Sequence, residues 1–260
     1  MNDNHILFEV DDEVGIATLN RSEKGNTFDW RTIRELEDIL AQVESNPGIR
    51  GLILTGEGDK YFCVGADIKL MKSIENNEYA EFLFAGLRMT EKIQRCRKPT
   101  IAAINGIALG AGGEIAMSCD LRIASRKSKI GVPELKIGMV PGWGGVFRLA
   151  RLVGQAKALE LVLTASNVDA TEAKSIGLVN QVTEPADLME TALEMMNRIL
   201  VNAPIGIAFA KSIIRGEREM PFYIGEHYEA MTSILTFLSK DGKEGMDAFF
   251  QKRKPSWTGT

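Results

Sequence analysis

Short apolar runs alternate with amphipathic helical patterns along most of this sequence. The run at 51–55 predicts a buried strand, and an apolar stripe at helical spacing predicts a helix over about 29–45. After about residue 195 the pattern becomes wholly helical. Strands that alternate with helices are typical of an α/β fold, so we expect an α/β core over 1–195 and a C-terminal helical region over 196–260.

The remaining predicted elements fit the same alternation. Period-two apolar residues on both sides of an acidic turn at 11–13 predict a β-hairpin at the amino terminus. Further strands are predicted at 100–104, 121–124 and 129–132, and further helices at about 79–97, 205–215, 220–239 and 241–252.

Composition excludes several functional classes. The 260 residues carry 31 basic and 35 acidic side chains, a net charge of −4. This balance argues against a nucleic-acid-binding protein, which usually shows a basic face, and against a basic helix lying on a membrane surface. An apolar stretch at 100–117 is interrupted by Asn105 and Glu114, so no membrane span is expected.

Cysteines and histidines are few and scattered. Cys63, Cys96 and Cys119 form neither a disulfide framework nor a zinc motif, and His5 and His227 are isolated. We therefore expect no metal site, no Ser-His-Asp or Cys-His catalysis, and a cytoplasmic protein.

Two glycine-rich loops could carry chemistry, but neither matches a common nucleotide motif. A G-x-G-x-x-G motif that starts at Gly110 or Gly142 would need a third glycine, where the chain has Ile115 or Phe147. No P-loop motif is present either.

Small residues in such loops leave backbone N–H groups uncovered. Gly65-Ala66-Asp67 and Gly110-Ala111-Gly112-Gly113 each follow a predicted strand and lead toward a helix. Two N–H groups that point to one place form an oxyanion hole, and a helix N-terminus adds positive potential. The alternative is that both segments are tight turns that need glycine conformations.

Two glutamates lie in apolar surroundings. Glu114 directly follows the second glycine segment, and Glu134 lies in the segment 130–135. Because glutamate is rarely buried without a function or a partner, the pair could act as base and acid on one water molecule. Alternatively, Glu114 caps its helix and Glu134 is a surface turn residue.

Several motifs in this order and spacing resemble the crotonase (enoyl-CoA hydratase/isomerase) superfamily, over about residues 6–255. They are Leu19-Asn20-Arg21, Lys24-Gly25-Asn26, Gly65-Ala66-Asp67-Ile68, the run Asn105 to Glu114, Val132-Pro133-Glu134, Pro141-Gly142-Trp143-Gly144-Gly145 and Glu244-Gly245-Met246 with Ala248-Phe249.

The resemblance implies a spiral of β-β-α turns and a C-terminal helical part that packs on neighbouring subunits, usually in trimers or hexamers. It implies that the N–H groups of Ala66 and Ala111 stabilise the enolate of an acyl-CoA thioester. The family most often has glycine at the position of Ala111. Since the backbone N–H acts there, an added methyl group should be tolerated.

The resemblance also implies the reaction. Hydratases of the superfamily carry both glutamates, so Glu114 is the expected base that activates water and Glu134 the acid that protonates Cα. Gly142 resembles the glycine whose N–H helps to seat the water or the second glutamate. The chain would then be a lyase of fatty acid metabolism. The alternatives are an isomerase, a hydratase of a branched, cyclic or dienoyl acid, and, less favoured by the charge, an RNA-binding protein.

Coenzyme A would enter as part of the substrate, and no further cofactor is expected. Lys24, Ala66, Asp67, Ile68 and Gly110 resemble the residues that line the CoA site. Lys252 and Lys254 could reach phosphates, although a solvated helix end explains them better. Trp143 could form a pocket wall or belong to the core. The acyl pocket would also be lined around 68–71 and 79–87, although the aromatic residues there fit packing better.

Overall fold

The computed structural model describes residues 4–217 and 219–260. Its strands are β1 (Ile6–Asp11), β2 (Val14–Leu19), β3 (Gly51–Gly56), β4 (Tyr61–Cys63), β5 (Thr100–Ile104), β6 (Ile107–Leu109), β7 (Leu121–Ser125), β8 (Lys129–Gly131), β9 (Val168–Asp169) and β10 (Gln181–Thr183). Its α-helices are α1 (Trp30–Ser45), α2 (Ile68–Ser73), α3 (Asn76–Arg95), α4 (Ala111–Ser118), α5 (Gly145–Val153), α6 (Gln155–Leu163), α7 (Ala170–Ser175), α8 (Leu188–Leu200), α9 (Pro204–Gly216), α10 (Phe222–Leu238) and α11 (Lys240–Gln251). Short 3-10 helices cover Ser22–Lys24, Glu134–Ile137 and Pro185–Asp187.

The strands form two sheets that the chain visits in turn. The larger sheet has the order β1-β2-β3-β5-β7-β10, and the smaller one has the order β4-β6-β8-β9. The chain passes from β3 to β4, from β5 to β6 and from β7 to β8, each time from the larger sheet to the smaller one and then into helical structure. Strands at equivalent places in successive turns pair in parallel. This is the expected spiral of β-β-α turns.

Local signals explain the first helix. The Asp29 side chain accepts a hydrogen bond from the Thr32 N–H at 2.9 Å and so satisfies one of the free donors at the helix start. Ile33, Leu36 and Val43 lie on one face and are fully or almost fully buried. The prediction of this helix is confirmed.

Helix α3 begins earlier than predicted. It starts at Asn76 rather than Tyr79, because the Glu78 side chain accepts from the Glu75 N–H at 3.1 Å and stabilises the first turn. Helices α6, α7 and α8 and strands β4, β6, β9 and β10 were not predicted from the sequence. The four strands have only two or three residues each and α7 only six, which is too short to show a clear period. Helix α8 was missed although its buried residues recur at helical spacing.

Helix α8 belongs to the core. Leu188, Ala192, Met196 and Leu200 pack against buried residues of β3, β5 and β7. The boundary expected between 195 and 196 therefore falls inside a helix that is packed on the larger sheet, and the peripheral helices begin with α9.

Helices α9 to α11 lie outside this core. Asp120 joins α9 to it through ion pairs with Lys211 and with Arg215, whose guanidinium nitrogen lies 2.7 Å away. On α10 only Thr232 is buried. Its exposed apolar side chains are Phe222, Tyr223, Ile224, Met231, Ile234, Leu235, Phe237 and Leu238.

No single helix within the described residues is long and apolar enough to cross a membrane. Pro185–Leu200 and Pro204–Gly216 pass that test only as a pair, and they are bent by 104° at their junction.

Candidate active site

A cavity of about 300 Å³ opens where the two glycine segments meet. Gly65 and Gly110 both have positive φ angles, 120° and 55°, a region that favours glycine. A β-carbon on Gly110 would lie 3.6 Å from the Gly65 Cα and only 3.0 Å from Glu134 Oε1. Glycine is therefore needed here both for the turns and for the close approach of Glu134.

The N–H groups of Ala66 and Ala111 are available for a ligand. Ala111 is the first residue of α4, so its N–H has no partner within the helix. Ala66 pairs with Phe28 in an isolated bridge, in which the bonds are made by the neighbouring residues Gly65 and Asp67. Neither N–H donates to any acceptor within the described part of the chain. Both residues line the cavity, and the N-terminus of α4 makes it favourable for an oxygen that gains negative charge.

Glu114 is 2% exposed and projects from the first turn of α4. Its Oε1 accepts hydrogen bonds from the N–H groups of Trp143 and Gly145, both at 2.8 Å. Burial raises the pKa of this carboxyl to about 7, and the nearby Glu134 carboxyl also raises it. The two N–H groups and the Arg148 guanidinium act in the opposite direction. Glu114 is thus a carboxyl that can exchange a proton near neutral pH.

Glu134 faces the same cavity from its 3-10 helix. Its Oε2 is buried and has no hydrogen-bond partner among the described residues. Burial also raises the pKa of this carboxyl. A buried, unpartnered carboxylate oxygen is costly, and protonation or a bound substrate would remove that cost. Neither glutamate is therefore only a cap or a surface turn residue.

The segment from Gly142 to Gly145 closes the site above Glu114. A β-carbon on Gly145 would lie 2.6 Å from the Glu114 Cγ, and one on Gly142 would lie 2.5 Å from the Leu83 Cδ1. Gly142 lines the cavity as anticipated, but the N–H groups that hold a carboxylate belong to Trp143 and Gly145. Sequence reasoning missed these two donors, for which the paired glycines were the only signal.

The cavity has an open rim and a closed end. Ile68, Ile137 and Val140 line it and are 60%, 54% and 69% exposed. Phe82 and Trp143 also line it but are only 1% and 2% exposed, and their rings lie 5.8 Å apart. Trp143 therefore serves both as pocket wall and as core.

Helix α3 forms part of the cavity wall. Tyr79 and Leu83 line the cavity together with Phe82. The prediction that 68–71 and 79–87 help to line the pocket is confirmed. The preference for packing holds only in part, because one face of α3 both packs on the core and borders the cavity.

Two of the residues expected at the CoA site lie outside the cavity lining. Lys24 is exposed in its 3-10 helix. Asp67 caps α2 by accepting from the N–H groups of Lys69 and Leu70, and it lies 3.6 Å from the Arg21 guanidinium. The structure thus brings Ala66, Ile68, Gly110, Ala111, Glu114, Glu134 and Gly142 together around one cavity.

Residues 4–217 and 219–260 contain no group of three His, Cys, Asp or Glu side chains placed to hold a metal ion. His5 bonds to the Thr32 hydroxyl at 3.0 Å, and His227 to the Tyr223 carbonyl at 2.8 Å.

A two-sheet spiral with two free N–H groups beside paired carboxyls defines a protein of the crotonase type. The family profile described as enoyl-CoA hydratase/isomerase matches residues 9–260. The chain belongs to this family, which confirms the resemblance seen in the sequence.

Relatives of known name cover nearly the whole chain. The sequence is 40% identical over 251 residues to a short-chain-enoyl-CoA hydratase of Clostridium acetobutylicum, covering 96% of each protein. It is 38% identical to a crotonyl-CoA hydratase of Syntrophomonas wolfei, covering 97% of each. The crystal structure of an enoyl-CoA hydratase from Bacillus anthracis superposes with a TM-score of 0.95 at 35% identity, covering 98% of this chain and 100% of that one.

Proposed function

We propose that this protein is an enoyl-CoA hydratase, a lyase that reversibly adds water to a 2-enoyl-CoA. The observation that carries the proposal is the placement of two buried carboxyls, Glu114 and Glu134, on one cavity with two unpartnered N–H groups. Relatives named as hydratases at about 40% identity support the same reaction.

In the proposed mechanism the thioester oxygen accepts hydrogen bonds from the N–H groups of Ala66 and Ala111. These donors stabilise the enolate that forms when water attacks Cβ. Ionised Glu114 takes a proton from the attacking water, and protonated Glu134 gives a proton to Cα. The pKa of Glu114, raised to about 7, lets this carboxyl change protonation state near neutral pH, as a base must. Burial raises the pKa of Glu134, which favours the protonated form that an acid needs.

The cavity favours a short acyl chain. Its closed end at Phe82 and Trp143 limits how far a chain can extend beyond Glu114. The names of the two relatives above, short-chain-enoyl-CoA and crotonyl-CoA hydratase, fit this proposal.

Coenzyme A would be held as part of the substrate at the open rim. Ile68 borders the cavity at that rim, and Gly110 is a buried part of its lining, while Lys24 and Asp67 would act from outside the lining. We propose that no further cofactor or metal takes part, since the acid, the base and the oxyanion donors all come from the chain. Activity should therefore persist in EDTA.

We propose a homotrimer or homohexamer in the cytoplasm. The exposed apolar side chains of α10 form a face that a neighbouring subunit would cover. The three cysteines are buried and free, which fits a reducing compartment. The acidic net charge of −4 disfavours nucleic acid as a partner.

An isomerase that moves the double bond of a 3-enoyl-CoA is the alternative on the same frame. Isomerisation needs one group to carry a proton between two carbons, whereas hydration uses both glutamates. Purified protein should be tested with 2-enoyl- and 3-enoyl-CoA, following the absorbance of the conjugated enoyl thioester.

Glu114→Gln and Glu134→Gln should each lower hydration by at least about 10²-fold, the scale of general acid–base catalysis. Glu190→Gln, an exposed change on α8, is the matched control. Near-normal hydration by either active-site variant would contradict the mechanism, and rapid conversion of the 3-enoyl substrate without hydration would favour the isomerase.

A further inference from the structure

The forked guanidinium of Arg148 contacts both the segment from Gly142 to Gly145 and helix α3. From α5 its Nη1 donates to the Trp143 carbonyl at 2.5 Å and its Nε donates to Gln94 Oε1 at 2.7 Å. Its Nη2 lies 3.4 Å from the Thr90 hydroxyl, which in turn lies 3.0 Å from the same Trp143 carbonyl. The Trp143 carbonyl thus faces donors of both α5 and α3, although the single Thr90 proton is shared with the Leu87 carbonyl, 2.9 Å away.

The residue that Arg148 holds is also the one that holds Glu114. The Trp143 carbonyl faces Arg148 and Thr90, while its N–H donates to Glu114 Oε1. Gly144 allows this close approach, because a β-carbon there would lie 2.6 Å from Arg148 Nη1. Gly145 then supplies the second N–H to the carboxylate.

We propose that Arg148 is a positioning residue for the reaction: by fixing the Trp143 carbonyl, it aims the N–H groups of Trp143 and Gly145 at Glu114. The proposal rests on the role of Glu114 as the base in the proposed function. Arg148 itself acts through the loop and does not line the cavity.

The positive charge of Arg148 favours the ionised form of Glu114, and so do the two N–H groups that Arg148 helps to position. The charged groups that face Glu114 are Glu134 and Arg148. Arg148 in turn faces Glu91 of α3 and Arg215 of α9, as well as the Cys119 thiol. Its guanidinium lowers the pKa of Glu114 against the effects of burial and of Glu134. Without it, less of the base would be ionised at neutral pH.

A merely structural role would have a different signature. Arg148 also ties α5 to α3 through Gln94, so its loss could simply destabilise the fold. Destabilisation would reduce the folded fraction, but it would leave the pH dependence of the folded enzyme where it was. The pH profile and the division of the effect between kcat and KM therefore separate the two roles.

The test compares Arg148→Met with Thr90→Val, and uses Arg151→Met as control. Arg151 lies on the same helix, but its ion pair is with Glu219 rather than with the loop. We expect Arg148→Met to lower kcat by about 10²-fold, the scale of a slightly misplaced catalytic group, with little change in KM. The acid limb of its kcat profile should move to higher pH.

Thr90→Val should lower kcat less and leave the acid limb in place, because it removes a neutral contact to the carbonyl. Arg151→Met should match the parent. An Arg148→Met enzyme that is folded by circular dichroism and has the parent's kcat, or the parent's acid limb, would overturn the proposal. If Arg148→Met does not fold, Arg148→Lys is the variant to test. Lysine retains the positive charge but lacks the forked guanidinium, so kcat should fall while the acid limb of the pH profile of kcat stays at the parent's pH. A kcat equal to the parent's would overturn the positioning role.

A second readout does not depend on activity. The carboxyl of Glu114 can be titrated by NMR with ¹³C-labelled glutamate and assigned by its loss in Glu114→Gln. Its midpoint should rise in Arg148→Met and stay unchanged in Arg151→Met; an unchanged midpoint in both would overturn the electrostatic part. Failure of the parent to hydrate any enoyl-CoA would refute the proposed function alone, since this titration would still report on Arg148.

Discussion

Replacing Glu114 by glutamine should make the protein more stable and much less active. The Glu114 carboxyl is 2% exposed, and burial raises its pKa to about 7 from an ordinary 4.5. Below pH 4.5 the group is protonated in both the folded and the unfolded chain and has no effect on folding. As pH rises toward 7 the unfolded chain loses the proton while the folded protein keeps it, so the unfolded state becomes relatively more stable.

The magnitude follows from the gap between the two pKa values. The gap is about 2.5, and each pH unit corresponds to about 1.4 kcal/mol, so Glu114 lowers the free energy of unfolding by up to about 3 kcal/mol above pH 7. Between pH 5 and pH 8 its effect grows by about 2–3 kcal/mol. Glutamine does not titrate, and its carbonyl oxygen can accept the N–H groups of Trp143 and Gly145 as Oε1 does.

The assay is denaturant unfolding of the parent, of Glu114→Gln and of the exposed control Glu190→Gln at pH 5, 6, 7 and 8, at one protein concentration. The stability advantage of Glu114→Gln should increase with pH and then level off above 7, while hydration falls by at least about 10²-fold. A difference from the parent that is flat over this range, or that shrinks as pH rises, would refute the reasoning about burial. The control should show no trend.

Three further predictions concern other parts of the molecule. Ala111→Gly should keep its activity because the N–H donor remains. A folded Ala111→Pro has no such donor and should lose about 10²–10³-fold in rate. An Ala111→Pro variant that keeps more than about a tenth of the parent rate would disprove the oxyanion role. Trp143→Leu should improve hydration of longer acyl chains relative to crotonyl-CoA. Trp30→Leu is the control, because Trp30 packs on Phe82 but does not line the cavity. An unchanged dependence of activity on chain length in Trp143→Leu would contradict the assignment of the closed end. Light scattering at micromolar concentration should give a trimer or hexamer that a charge on α10, such as Leu235→Glu, weakens; a monomeric parent would be inconsistent with the proposed interface.

The sequence by itself determined the features that depend on neighbours along the chain. Helix α1 follows from the Asp29 cap and a buried stripe at helical spacing, and the hairpin of β1 and β2 follows from period-two alternation around an acidic turn. The turns at Gly65 and Gly110 were visible because glycine tolerates positive φ angles. Motif order further indicated the family and the two glutamates.

Tertiary structure alone decided what surrounds those glutamates. The N–H groups that hold Glu114 come from residues 29 and 31 positions away, and the guanidinium behind them reaches across from α5 to α3. The exposed fractions that separate the cavity's rim from its closed end, and the packing of α8 on the larger sheet, likewise depend on elements far apart in the chain. Periodicity reports which face of an element is buried, but it does not report which distant backbone group will meet it, because that contact exists only once the spiral has closed.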